Sequence, residues 1–380
     1  MKRSCPSEIV LFEADLQPLS VRRQATLVKY FNKLSSIDHG NKTARYLNSW
    51  RNNKRLKRNS PFSLIKTQQL IASNVEPHYI HCNINTCADL SNVEFCDGLL
   101  TTLNKKECVP ELIRQLALEV INKISPNDIT IYSDGSKMNI QAGSGTYITT
   151  LQEKFFLKQR NPDFCSVFRS ELIAIHIGLE KIMCENNFGD LWILSDSKSS
   201  IQHLRNWSLI EDKTSLSILR KVKLIALQHK VHFQWIPSHV DIYGNELADT
   251  LAKESLAHPT PFTSELTYLE LFSQQKANNK EKWLIPPSHN WYKGKRPGQT
   301  LALPCERQTN TLLSRLASGH LKSLTFSGSA KRFPICPKCQ QDQASPQHIL
   351  SCLGLDWNDI FDSPLLVSDF IRVNGFIDLV

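Results

Sequence analysis

The sequence predicts an α/β fold, a mixed five-stranded sheet with flanking helices across residues 126–258. Three observations carry that expectation. β-rich runs at 129–134 (ITIYSD), 142–149 and 154–159 follow one another closely enough to form a three-stranded meander. A long helix with an unbroken apolar stripe comes next. Helix and strand then alternate to residue 256, as they do where parallel strands are joined by crossover helices.

The first run closes on the turn pair Asp134-Gly135. In the long helix Phe168, Leu172, Ile175, Leu179 and Ile182 share one face, and Gly178 beside them lets that face lie close to a sheet. Residues 191–196 (LWILSD) are almost wholly apolar, the pattern of a buried central strand. Helices are expected at 198–206 and 213–228, a strand at 231–236 (VHFQWI), and a last helix at 243–256 with Leu247, Ala248, Leu251 and Ala252 on one face. Outside this domain, residues 1–125 read as a basic, partly helical, connector-like segment, helical at 19–34 and 112–123 and irregular over 61–110. Residues 259–330 read as a linker with an aromatic-basic patch at 291–296 and a helical stretch near 312–317. A small zinc-knuckle-like region at 331–356 and a tail at 357–380 complete the chain.

The 45 Lys+Arg against 36 Asp+Glu give a net charge of +9, and residues 1–60 hold all of it, with 13 Lys/Arg against 4 Asp/Glu. A basic segment beside neutral domains suits a partner of polyanions. For a lone charge run a solvated helix face is the commoner reading, and the densest part, 51–58, suits a nuclear-import patch equally well. No apolar run reaches the roughly 18 residues of a spanning helix, and Glu13 ends the first apolar stretch before it is long enough for a secretion signal. Eleven cysteines is an odd count, against a disulfide scaffold. The expectation is an intracellular protein, nuclear or cytoplasmic, with no membrane segment.

The candidate chemistry lies in four carboxylates. Asp134 ends the first strand and Asp196 the fourth. If those strands are parallel neighbours, both acids emerge at the one sheet edge where open α/β sheets place ligands. Glu171 stands in the first turn of the long helix at the rim of the same crevice, and Asp249 lies on the last helix beside Ala248. Singly, each has a bland reading as a turn, a solvated helix residue or a cap. Together, four acids at one point repel and partly neutralise unless cations hold them. Hard oxygen ligands suit Mg²⁺ or Mn²⁺, and two such ions about 4 Å apart form the clamp used for in-line displacement at phosphodiesters.

The segments Tyr132-Ser133-Asp134-Gly135-Ser136, Ser170-Glu171-Leu172, Ser195-Asp196-Ser197 and the run from His239 through Gly244-Asn245-Glu246 to Asp249 resemble type-1 ribonuclease H. Ser166-Val167-Phe168-Arg169-Ser170-Glu171 is similar to the version carried by non-LTR retrotransposons. The resemblance covers about residues 129–256 and implies the ribonuclease H fold, cleavage of the RNA strand of RNA–DNA hybrids, and two Mg²⁺ ions. By it, Asp134 bridges both ions, Asp249 helps hold the ion that activates water, and Glu171 and Asp196 hold the ion at the leaving 3′-oxygen. His239, on the loop before Asp249, aids proton transfer or product release. Asp241 departs from the pattern, because the loop usually has Gly there. Val167 and Phe168 replace a pair that is often polar and contacts RNA, and residues 207–212 leave no room for the basic handle with which some relatives grip the hybrid.

Cys336, Cys339, His348 and Cys352 follow a C-x2-C-x8-H-x3-C spacing. Two cysteines so spaced present both sulfurs to one ion, and His348 and Cys352, at i and i+4 of a short helix, complete a closed, structural Zn²⁺ site. With Ser314-Arg315-Leu316 and Gly319-His320, this resembles the region that follows ribonuclease H in the same retrotransposons, and residues 11–34 resemble the connector after their reverse transcriptase. No aromatic-x-Asp-Asp polymerase motif occurs. The chain therefore looks like the C-terminal part of such a polyprotein. The expected function is an endoribonuclease acting on RNA–DNA hybrids, leaving 5′-phosphate and 3′-hydroxyl ends, with further nucleic-acid contact through the basic N-terminal segment. The alternative is a domesticated or decayed nucleic-acid-binding protein with the same fold and no turnover.

Overall fold

The structure is a computed structural model that describes residues 7–37, 40–48, 75–78, 90–99, 109–185, 188–261, 265–288, 296–298, 306–328 and 330–380. The basic run at 51–58, and the aromatic-basic patch apart from Arg296, lie outside the described residues. Contacts divide the chain into two compact units, Leu27–Gln274 and the pair Met1–Thr26 with Gln275–Val380.

The described chain opens with helices α1 (Ser7–Glu13), α2 (Leu19–Ser36) and α3 (Lys42–Asn48). The sheet and its helices follow as β1 (Val93–Cys96), α4 (Pro110–Ile121), β2 (Ile129–Met138), β3 (Gln141–Thr149), β4 (Lys154–Asn161), α5 (Val167–Ile182), β5 (Leu191–Ser195), α6 (Lys198–Arg205), α7 (Lys213–Ala226), β6 (Val231–Trp235) and α8 (Tyr243–Ser255). Strand order is β1-β6-β5-β2-β3-β4, with β2, β3 and β4 antiparallel and β1, β6, β5 and β2 parallel. The meander, the crossover helix and the two later strands thus stand where their periodicities put them.

The sheet has six described strands rather than the five expected. The extra one, β1, comes from the stretch read as irregular and pairs with β6. Without it the apolar, buried strand β6 would present an open edge, which proteins cover. Phe95 stacks on Phe233 with ring centroids 4.8 Å apart, and the Glu94 carboxylate lies 3.0 Å from His232 Nδ1. Four residues alternating between half-buried and exposed are too few to show a period in the sequence.

Helix α5 begins at a real cap, since the Ser166 hydroxyl accepts from the Arg169 N–H at 3.2 Å. Leu172, Ile175, Leu179 and Ile182 are buried in the larger apolar cluster together with β2, β5, β6, α6 and α7. Phe168, at the N-terminal end of that stripe, stays 37% exposed and packs edge-on to His203 of α6, with ring centroids 5.2 Å apart. On the opposite face α4 and α8 cover Tyr132, Tyr147 and Leu194. Gly178 faces Ile131 and Thr146 closely enough that a Cβ would meet a methyl at 2.8 Å. Helix α9 (Tyr268–Trp283) begins in the sheet unit and carries the chain past Gln274 into the second, which then contains α10 (Arg307–Ser318), a β7–β8 hairpin (Thr325–Ser327, Ala330–Arg332), α11 (Pro346–Cys352), α12 (Asp359–Asp362) and α13 (Pro364–Val373). One apolar cluster runs through it from Leu312 to Val380, with Ile349, Ile360, Val367, Ile371 and Phe376 fully covered. Among the described residues no helix is long and apolar enough to cross a membrane.

Helix backbone comes very close to the sheet at Gly145 of β3, where a Cβ would stand 2.2 Å from the Ala248 carbonyl oxygen and 2.3 Å from the Ala252 nitrogen of α8. Backbone cannot yield as a side chain does. Gly145→Ala is expected to destabilise the sheet unit by about 3 kcal/mol, read as a lower urea midpoint at unchanged slope; an unshifted midpoint would contradict this packing.

Candidate active site and cysteine cluster

β2 and β5 run parallel in a register that pairs Ser133 with Ser195, so the next residue on each, Asp134 and Asp196, leaves the parallel part of the sheet side by side. Asp134 does not end its strand, as the sequence reading had it. β2 continues to Met138, paired beyond Asp134 with β3 alone. Gly135 explains why the helix comes in so close. A Cβ there would lie 2.5 Å from the Glu171 nitrogen and 2.8 Å from the Ser170 carbonyl carbon, so only glycine lets α5 rest against β2 at this point. Glu171 is thereby brought to the two aspartates, and one oxygen from each of Asp134, Glu171 and Asp196 lies within 4.8 Å of the others.

Asp134 and Glu171 are buried and Asp196 is half-buried. Burial, then the charge of Asp196 and a hydrogen bond with Asp249, push the Asp134 carboxyl up to about 7. Burial first, and then Asp134 and Asp196, hold Glu171 well above the usual carboxylate range. Glu171 Oε2 is buried with no hydrogen-bond partner. Buried acceptors are normally satisfied, so an orphaned carboxylate oxygen facing two further acids is a donor set that fits a hard divalent cation.

Asp249, on α8, lies outside that set of three and meets it through Asp134, with which it shares a hydrogen bond; it stands one turn after Asn245, whose Nδ2 is 3.5 Å from Asp196 Oδ2. The Trp235 indole N–H donates to the Asp196 carbonyl at 3.1 Å. In the sequence Asn245 stands out only within a loop signature; its place four residues before Asp249 is the signal that both face the cleft. Nothing in the sequence singles out Lys253, whose ammonium is 2.5 Å from Asp249 Oδ2. His239 lies on the exposed loop from β6 to α8, outside the carboxylate cluster. His239 and Asp241 both adopt positive φ, 58° and 55°, which shows why glycine suits the second position. Val167 and Phe168 stand exposed at the start of α5, whereas Arg169 is half-buried between Glu76, which its Nη2 contacts, and Glu270, 3.1 Å from its Nη1.

In the other unit, Cys336, Cys339, His348 and Cys352 each place one ligand atom within 4.8 Å of the rest. The Cys336 and Cys352 sulfurs are 3.9 Å apart, close to the ~3.8 Å edge of a tetrahedron with ~2.3 Å metal–sulfur bonds, and Cys339 Sγ is 3.3 Å from His348 Nε2. The N–H groups of Gln341 and Asp342 turn toward Cys339 and lower its thiol to about 6, the condition of a thiolate ligand. The Ser345 hydroxyl caps α11 at the His348 N–H, fixing the helix that carries His348 and Cys352 on one face.

A mixed sheet whose parallel strands deliver acids to one edge, with a helix closing over them, defines an acidic-cleft α/β domain. Residues 126–257 match the family described as RNase H. The Ribonuclease H of Baumannia cicadellinicola is 30% identical over 146 residues, covering 34% of this chain and 92% of that protein. That of Shewanella amazonensis is 29% identical over 148 residues, covering 35% and 91%. A solved RNase H1 of the archaeon Halobacterium salinarum, 18% identical, covers 34% of this chain and 97% of its own at a TM-score of 0.28. The chain belongs to the ribonuclease H family through this domain, and these relatives are named as ribonucleases H of bacteria and an archaeon, not as retrotransposon proteins.

Because Asp134 binds its proton more tightly in the folded state, the metal-free protein loses stability as pH rises from about 4 to about 7. Asp134→Asn is expected to flatten that slope and to stabilise the metal-free sheet unit at pH 8 by about 1–3 kcal/mol. Urea unfolding in chelator at pH 5 and pH 8 checks it; equal slopes in both proteins would show that the acids do not strain one another.

Proposed function

We propose that residues 126–257 form an endoribonuclease that hydrolyses the RNA strand of RNA–DNA hybrids, leaving 5′-phosphate and 3′-hydroxyl ends. The observation that carries the reading is the meeting of Asp134, Glu171 and Asp196 around an unsatisfied buried oxygen in a domain of this family. Asp134, Glu171, Asp196 and Asp249 would hold two Mg²⁺ or Mn²⁺ ions, which when bound supply an activated water and neutralise charge on the displaced phosphate oxygens. The protein's own residues do the rest. Asn245 and the Trp235 N–H orient Asp196, Gly135 holds Glu171 against β2, and His239 on its exposed loop takes or returns a proton at the reacting oxygens. The hybrid is the partner, and the basic N-terminal segment adds sequence-independent phosphate contact. The order of a ribonuclease H domain followed by a Cys₃His cluster supports descent from a retrotransposon polyprotein.

Purified protein given a labelled hybrid and Mg²⁺ is expected to cut the RNA strand, with Asp134→Asn at least about 100-fold slower. A folded protein that binds the hybrid without cutting it would instead assign the non-catalytic binding role, with Asp241 and the apolar Val167-Phe168 pair as the departures to reverse first.

The cysteine cluster would hold one structural Zn²⁺. Metal analysis is expected to find one zinc per chain, lost in Cys336→Ser together with the cooperative unfolding of the unit around Leu312–Val380. Full zinc content in that variant would refute the assignment.

A further inference from the structure

Lys253 stands one turn beyond Asp249 on α8, and its ammonium lies 2.5 Å from Asp249 Oδ2. As a fold element the contact contributes little, because an i,i+4 pair whose lysine is 60% exposed is well screened by solvent. Its place is what matters. Asp249 in turn is hydrogen-bonded to Asp134, so the ammonium ends a chain of acids that starts at the buried cluster. Lys253 is held in its charged form first by Asp249 and further by Asp134 and Glu246. A positive charge therefore already sits on a carboxylate that the reading above gives to a divalent ion.

We propose that Lys253 is a positioning residue that competes with the divalent ion for Asp249 and yields when a phosphate of the polynucleotide arrives, so that metal loading at Asp249 is coupled to substrate binding. The inference rests on the two-ion reading of the same site. An ammonium and a divalent cation on one carboxylate repel even in water. The lysine stem is flexible and largely solvated, so the ammonium can leave Asp249 without disturbing α8. What it needs is another anion within its reach, and a hybrid laid across the cleft brings one to the rim. Linkage then makes the effect reciprocal. A substrate that draws Lys253 away tightens metal binding, and the metal tightens substrate binding by the same factor.

The test is calorimetric titration of Mn²⁺ into the zinc-loaded full chain, as wild type, Lys253→Met and Asp134→Asn, with and without a hybrid whose RNA strand is 2′-O-methylated and so not cut. Lys253→Met is expected to bind Mn²⁺ about 3- to 10-fold more tightly than wild type in the absence of hybrid, with an unchanged metal-free melting temperature. The hybrid is expected to tighten Mn²⁺ binding in wild type and to do so less in Lys253→Met. Equal Mn²⁺ affinity in wild type and Lys253→Met, with binding lost in Asp134→Asn, would overturn the role of Lys253 and leave the metal site standing. Mn²⁺ binding that does not depend on Asp134 in any form would overturn the metal site and this inference with it.

Discussion

Carboxylates do not share a few ångströms of protein interior without help, and that repulsion sets the terms for the sheet unit. The backbone forces the encounter: a parallel register delivers Asp134 and Asp196 side by side, and a glycine lets α5 press Glu171 against them. The side chains then relieve it in three different ways. Asp134 and Glu171 are pushed toward their neutral forms, Asn245 offers an N–H to Asp196, and Asp249 takes the ammonium of Lys253. Each of these is a weak, replaceable substitute for positive charge. A cluster that the fold insists upon, yet satisfies only provisionally, is one that a ligand bringing positive charge would fit.

How much of this could be read from the chain depends on the length of the signal. The α5 stripe repeats over four turns and the apolar strands β5 and β6 are flanked by clear breaks, so the sheet from β2 onward, its helices and the convergence of the acids were legible. The cysteine spacing was legible for another reason: two short local separations determine which sulfurs can meet. β1 was not legible, because four residues cannot establish a period. Nor were the partners of Arg169, which lie 93 residues before it and 101 after. Lys253 escaped notice because lysines four residues after an aspartate line many solvated helices. Nothing in the sequence marks which of them faces a cleft.

Arg169 also shows that the family's stretch of sequence does not by itself determine the surface beside the cleft. Glu76 and Glu270 both come from outside residues 126–257 and are almost fully buried against it. The Glu270 carboxylate accepts from the N–H and hydroxyl of Ser166 at 2.7 and 2.9 Å, at the very start of α5. Donors at a helix N-terminus are a ready anion site, and here a resident carboxylate holds them, so a substrate phosphate meets a filled position there. The neighbouring Val167 and Phe168 offer no hydrogen bond in exchange. The grip on a nucleic acid has to come from charge placed elsewhere.

The two ligand clusters differ in what holds them up, and the difference decides what each asks of a metal. The acids ride on β2, β5, α5 and α8, elements with large apolar faces of their own, so their geometry persists against the repulsion. The cysteines ride on a turn with Gln340 at positive φ and on a helix of seven residues. Those short elements close over Cys336, which is itself part of the apolar core of its unit. Metal on that cluster, as proposed above, would therefore be coupled to assembly of the core that buries the Cys336 thiol. In the sheet unit the fold makes the site; in the smaller unit the proposed site would help to make the fold.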